Sequence, residues 1–424
     1  MYYLEKLSNG IEVLVIPQHE TQAASVMMMV NVGSREENAK NTGVSHFIEH
    51  LLFKGTKKYP NTEILSRTLD AVGAEFNAYT SKDHTAYYIK IQHEKLCLAF
   101  DVLSDMLYNP LFAAEEIERE RGVILEEINM YEDNPMMSSE DLFEQTLFDD
   151  ATCLGRSVIG TKRSIAGMTR NTILAYRKSW YASHHVLLVV SGRVPEKEHL
   201  KKDIEKMFNK KQANGRRLKR SSYINTLAKP QVAVKFKDTE QVHLVMGVPG
   251  ISYTHKDRFA LAVANRILGG SMSSRLFINI RERQGLCYYI RSSADSYADA
   301  GSWYVRAGLD KSRIHEAIRL ILKELNRLKT KGVTLKELKE AKEGVRGSTM
   351  LQVEDSLSIA QFFGTRKLLV NEIKTPEEVL AEIDRVTRAD IQRVSMQLLK
   401  KNKLALAIIG PFEDTQQFHP LLQL

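Results

Sequence analysis

Gly43-Val44-Ser45-His46-Phe47-Ile48-Glu49-His50-Leu51-Leu52-Phe53 has the length and composition of a helix, and Lys54-Gly55 behind it supplies a helix stop. Ahead of it stand two runs rich in β-branched residues, Ile11 to Ile16 and Ala24 to Val32, and then a polar turn, Gly33 to Asn38. The second half of the chain repeats this order. Strand-like Gln231 to Phe236 and Val242 to Val248 precede a turn at Pro249-Gly250 and a helix-like Arg258 to Leu268, which ends in Gly269-Gly270. A slide of 215 positions superposes Lys54-Gly55 on Gly269-Gly270 and sets His46, Glu49 and His50 opposite Leu261, Ala264 and Asn265. An internal duplication follows, in which the second copy has lost the polar residues of the first.

The repeat continues outward. Gly73 to Thr80 with Thr85 to Ile91 reads as a hairpin, answered by Leu286 to Ser292 with Ser302 to Ala307. Long amphipathic helices close each half: Glu94 to Tyr108 and Ala114 to Tyr131, then Ile314 to Lys329 and Thr334 to Leu351. The predicted class is α+β, in two similar domains over 1–209 and 229–424, each a mostly antiparallel sheet packed with helices. Strand order does not follow from this pattern. A length of 424 residues agrees with two domains, and 43% hydrophobic with 26% charged residues is an ordinary globular balance.

Between the halves, residues 210–228 read as a basic, solvated linker, carrying Lys210, Lys211, Arg216, Arg217, Lys219 and Arg220 beside Asn214-Gly215. It holds part of the net charge of +8, which raises nucleic acid or anionic membrane as partners. That alternative predicts binding that falls steeply with salt and needs no metal. Cys97, Cys153 and Cys287, odd in number and widely spaced, make neither a disulfide framework nor a cysteine metal site. The opening Met1 to Leu7 carries an early acid, and no stretch approaches 18 uninterrupted apolar residues. A cytoplasmic protein without a membrane segment is expected.

On a helix, positions four apart share a face, so His46 and His50 can aim both imidazoles at one ion. Glu49 lies on nearly the same stripe, where a carboxylate can take a proton from water. The order His-x-x-Glu-His reverses His-Glu-x-x-His and matches a zinc-peptidase signature. The bland reading, two surface histidines, is opposed by Phe47, Ile48, Leu51, Leu52 and Phe53, which imply a buried helix whose polar groups need partners. A catalytic zinc takes three protein ligands. The acidic helix Glu115 to Ile128 can supply the third, with Glu120 and Glu127 two turns apart on one face. From periodicity alone Glu126 and Glu127 are not separated, and most acids on such a helix are solvated.

Three segments, His46-Phe47-Ile48-Glu49-His50-Leu51-Leu52-Phe53-Lys54-Gly55-Thr56, Phe76-Asn77-Ala78-Tyr79-Thr80-Ser81 and Glu120-Arg121-Gly122-Val123-Ile124-Leu125-Glu126-Glu127, together resemble the pitrilysin superfamily of inverzincins. That superfamily includes insulin-degrading enzyme and the mitochondrial processing peptidase, and the shorter, processing-peptidase-like branch fits this length. The resemblance spans nearly the whole chain. It implies a third ligand about 76 or 77 residues after the second histidine, with a functional glutamate seven residues before it. Only Glu127 has such a partner, Glu120, so the resemblance assigns Glu127 to the metal, Glu120 a supporting role and Glu126 to the surface.

The resemblance also implies that Asn77, Ala78 and Tyr79 form an edge strand on which substrate adds as a β-strand. Arg281 and Tyr288, seven apart in the silent half, match a substrate-binding pair that could stabilise a developing oxyanion. His84, in a hairpin connection, is read as structural. Leu268 to Ser274 is glycine-rich but lacks the Lys-Ser/Thr of a phosphate loop, so no nucleotide site is expected.

The expected activity is zinc-dependent endopeptidase cleavage of unfolded peptides or presequence-like segments in a cleft or chamber, with one Zn2+ per chain and Glu49 as general base. A noncatalytic scaffold of the same superfamily is the rival reading. Both motifs lie on one chain, so no separate subunit is required, and a homodimer is compatible with the pattern.

Overall fold

The strand-like runs of the first half enter one six-stranded sheet. The computed structural model describes residues 2–211, 215–218, 220 and 223–424. In it β1 (Tyr3–Lys6), β2 (Glu12–Pro17), β3 (Ala23–Val30), β4 (Glu75–Thr80), β5 (Thr85–Gln92) and β6 (Val186–Gly192) are ordered β1-β2-β6-β3-β5-β4. Every neighbouring pair is antiparallel except β2 with β6. The middle strands are apolar on both faces: Val26 to Met29 and Leu187 to Val190 are all buried. Such uninterrupted runs belong inside a sheet covered on both sides.

The second sheet consists of β7 (Gln231–Phe236), β8 (Gln241–Pro249), β9 (Cys287–Ser296), β10 (Gly301–Asp310) and β11 (Ala405–Gly410), ordered β7-β11-β8-β10-β9. Its one parallel pair is β7 with β11. Without β1, the first order has the same plan: a late strand slots between the first two, and the hairpin strands run to the edge. The duplication is therefore topological as well as sequential, and the fold is α+β.

Helices α1 (Val44–Leu52), α2 (Thr62–Asp70), α3 (Leu96–Tyr108), α4 (Ala114–Asp133) and α5 (Pro135–Phe148) follow in the first half. The packing units are discontinuous in sequence. One comprises Met1–Ile128, Ser157–Arg220 and Met350–Lys374; the other comprises Asn129–Arg156, Ser221–Thr349 and Thr375–Leu424. Each half of the chain thus lends a helix to the other sheet. Asn134 caps α5, and Phe143, Leu147 and Phe148 bury against Val245, Tyr304, Ala405 and Ala407 of the second sheet. The helix Ser356–Val370 buries Ile359, Ala360 and Phe363 against Leu14, Ile16, Met27, Met29, Leu187 and Val189 of the first. Each such large side chain contributes about 1.5–3 kcal/mol. A Cβ at Gly364 would stand 2.6 Å from Met29 Sδ, so the bare glycine sets how closely this helix lies on the sheet.

One residue of the basic segment, Arg220, is held against the first unit. Arg220 Nε donates to Glu36 Oε1 at 2.9 Å, and its Nη2 donates to Asn31 Oδ1 at 3.1 Å and to the Asp83 carbonyl. The expectation of a solvated stretch is corrected at this residue, because acids far away in sequence neutralise it. Arg216 and Arg217 are exposed, while Lys219 and Asn214 lie outside the described residues. Among the described residues, no helix is long and apolar enough to cross a membrane.

Candidate metal centre

Helix α1 is fixed at both ends and along its apolar side. Gly43, at φ 91°, caps its start, and a Cβ there would stand 2.8 Å from the Ile159 carbonyl. The Glu37 carboxylate accepts from the Gly43 and Ser45 amides at 2.7 and 2.8 Å, satisfying donors that a helix start leaves open. Val44, Phe47, Ile48, Leu51 and Leu52 are buried, and Ser45 Oγ lies 2.9 Å from the Tyr176 hydroxyl. What remains is a polar stripe of His46, Glu49 and His50, held in a fixed orientation.

Helix α4 supplies the facing acids. Ile117, Glu120, Ile124 and Ile128 form its buried stripe. Glu127 Oε2 lies 3.6 Å from His46 Nε2 and 3.5 Å from His50 Nε2, while Glu126 is exposed. Ligand atoms of His46, His50 and Glu127 all lie within 4.8 Å of one another. A tetrahedral ion about 2.1 Å from each ligand spaces them roughly 3.4 Å apart, close to both imidazole–carboxylate distances. Those distances are also too long for good hydrogen bonds. The three groups therefore fit a zinc-sized ion better than they fit one another.

The two imidazoles are pushed in opposite directions. Burial, and then the neighbouring His50 charge, pushes His46 down to about 4, so its ring is neutral with a lone pair to offer. His50 has lost solvent too, but the hydrogen bond to Glu120 and the nearby Glu127 carboxylate outweigh this and raise it to about 9 in the metal-free chain. His50 Nδ1 meets Glu120 Oε2 at 3.1 Å, which turns Nε2 toward Glu127. Burial pushes Glu120 up, yet the bonds from His50 and Lys54 prevail and hold it below its ordinary value. Glu127 is held low chiefly by His50, whose Nε2 stands 3.5 Å from its Oε2.

Glu49 sits beside the imidazoles and takes no part in the ligand triangle. Burial raises its pKa, and the Thr80 hydroxyl, donating to Oε2 at 2.5 Å, partly offsets that. A carboxylate so poised is a proton acceptor. Thr80 ends β4, and the spacing of residues around Glu49 carried no signal for it.

Asn77, Ala78 and Tyr79 lie on β4, at the edge of the first sheet and paired with Tyr88, Tyr87 and Ala86 of β5. Asn77 Oδ1 accepts from the Ala78 amide at 2.8 Å. His84 stands in the turn between β4 and β5, buried, with Nε2 3.3 Å from the Tyr79 hydroxyl; burial lowers it to about 4. Arg281 and Tyr288 belong to the second unit. The Arg281 guanidinium lies 4.6 Å from the Phe277 ring centre, and Tyr288 on β9 is 75% exposed. His46, Glu49, His50, Glu120 and Glu127 thus meet in the first unit, beside the edge strand.

Two family models match successive stretches of the chain. A family model described as Insulinase (Peptidase family M16) matches residues 12–162, and one described as Peptidase M16 inactive domain matches residues 167–345. A Streptomyces coelicolor protein described as an uncharacterized zinc protease is 35% identical over 414 residues, spanning 97% of this chain and 90% of its own. A Bacillus subtilis protein of the same description is 33% identical over 407 residues, spanning 95% and 97%. The crystal structure of a protease from Helicobacter pylori shares the fold, with a TM-score of 0.92 at 22% identity and coverage of 97% and 99%. The chain belongs to the insulinase family, peptidase family M16.

Proposed function

We propose that this chain is a zinc-dependent endopeptidase that hydrolyses unfolded peptides or presequence-like segments, with one Zn2+ per chain. The observation that carries the reading is the triangle of His46, His50 and Glu127, spaced for an ion, with the Glu49 carboxylate beside it but outside it. The zinc protease descriptions of relatives along nearly the full length support it. The second copy, with Leu261, Ala264 and Asn265 at the matching positions, offers no ligands, hence one ion per chain.

Zinc, when bound, supplies a Lewis acid that polarises the scissile carbonyl and acidifies adjacent water. His46, His50 and Glu127 would hold it, and Glu120 orients His50 through Nδ1. Glu49 takes the proton from the attacking water and delivers it to the leaving amine. An extended substrate adds to the free edge of β4 through backbone hydrogen bonds, which demand little of its sequence. The family resemblance gives Arg281 and Tyr288, both in the second unit, a substrate-binding role. We assign the activity to the cytoplasm, a reducing compartment that suits three unpaired cysteines. Mapping cuts in a mixed peptide library by mass spectrometry, with and without chelator, tests the reading: cleavage within chains that stops on metal removal supports it, and cleavage indifferent to chelator contradicts it.

A further inference from the structure

Glu120 has both carboxylate oxygens engaged, and only one of them by a metal ligand. Oε2 faces His50 Nδ1 at 3.1 Å, and Oε1 faces Lys54 Nζ at 2.7 Å. The Glu120 residue is 1% exposed, so its charge needs a partner. Lys54 follows His50 by four residues, two past the last residue of α1, and its ammonium reaches Glu120 Oε1 from there. Among the described residues, it is the one lysine or arginine paired with Glu49, Glu120 or Glu127. Three carboxylates around a dication leave one negative charge over, and the Lys54 ammonium cancels it.

We propose that Lys54 is a positioning residue of the metal centre: by gripping Glu120 Oε1 and neutralising the surplus charge, it locks Glu120 on His50 Nδ1 and keeps Nε2 aimed at the metal. This inference rests on the zinc site described above. Without Lys54, Glu120 is free to turn about its terminal bond, and the His50 ring loses its fixed acceptor. A role confined to stability would instead be served by any side chain of similar bulk.

The test is a zinc affinity series by chelator competition on the full-length chain: wild type, Lys54→Met, Lys54→Arg, Glu120→Gln, and Lys54→Met combined with Glu120→Gln. Loss of such an outer partner typically weakens metal binding about 10–100-fold, which is the expectation for Lys54→Met. Lys54→Arg keeps the charge and restores affinity to within roughly threefold. Because Lys54 acts through Glu120, adding Lys54→Met to Glu120→Gln costs no more than about a further twofold. That background also removes the buried charge, so the comparison stands even where Lys54→Met alone folds poorly. Wild-type affinity in Lys54→Met, or losses that multiply in the double variant, overturns the proposal. Zinc binding that survives His46→Ala defeats instead the ligand assignment beneath it.

Discussion

The helices α1 and Arg258–Gly269 occupy matching places in the two copies, yet one carries chemistry and the other carries only packing. In the second, Leu261 and Ala264 are buried in the core, and Asn265 is satisfied: its Nδ2 donates to the Ser292 carbonyl at 3.3 Å and its Oδ1 accepts from Trp303 Nε1 at 3.1 Å. In the first, the Glu120 and Glu127 carboxylates close on the His46 and His50 imidazoles, and the largely buried Glu49 carboxylate stands beside them. Imidazoles and carboxylates gathered on one side of a helix, at spacings an ion would bridge, are what a metal centre requires. The comparison teaches that the scaffold alone does not need polar groups at these positions.

The largest effect expected is on catalysis. Glu49→Gln keeps the shape and the zinc but removes the base, so peptide hydrolysis falls about 10²- to 10⁴-fold at unchanged metal content. Wild-type turnover in that variant would break the contrast with Ala264. Next, Glu127→Ala lowers zinc affinity by well over tenfold while Glu126→Ala leaves it alone, as read by metal analysis after dialysis. Equal losses would place the third ligand elsewhere.

In the silent copy the matching substitution acts on stability only. Asn265→Ala strands the Trp303 indole donor and the Ser292 carbonyl and costs about 1–3 kcal/mol, with zinc binding intact. Urea unfolding followed by Trp303 fluorescence, with Trp180 replaced by Phe, reads it directly.

The smallest effect concerns the anchor of that helix. Asp257, just before it, accepts from Arg393 Nη1 and Nη2 at 2.6 and 2.9 Å, and these bonds hold its carboxyl below the ordinary range. A depressed folded pKa contributes stability above the unfolded value of about 3.9 and loses it as pH falls through the folded one. Acid unfolding of the second unit below about pH 4 should therefore become shallower in Arg393→Met; an unchanged acid limb counts against the anchor.

Much of this was legible from the chain. The hairpins and the long helices announced themselves because each is built from neighbours in sequence: β4 with β5 and β9 with β10 pair across short turns. The central strands β6 and β11 were not read. They pair with β2 and β7 across more than a hundred residues, and their uniformly apolar sequences show no alternation. The exchange of α5 and Ser356–Val370 escaped for the same reason, since a helix does not state which sheet it covers. At the site, His46, Glu49 and His50 were visible because the helix repeat brings them to one face. By periodicity Glu127 stood level with Glu126; the family resemblance separated them, and in the structure Glu127 faces both imidazoles while Glu126 is exposed. Lys54 was read as part of a helix stop and Arg220 as part of a solvated linker, since the acids that hold them lie 66 and more than a hundred residues away.

Anomalous diffraction at the zinc edge, from crystals of the zinc-loaded protein, tests the central claim most directly. One peak per chain is predicted, within bonding distance of His46 Nε2, His50 Nε2 and a Glu127 carboxylate oxygen, with none beside Leu261 and Asn265. A peak held by other residues, or no peak at this triangle, would contradict the account.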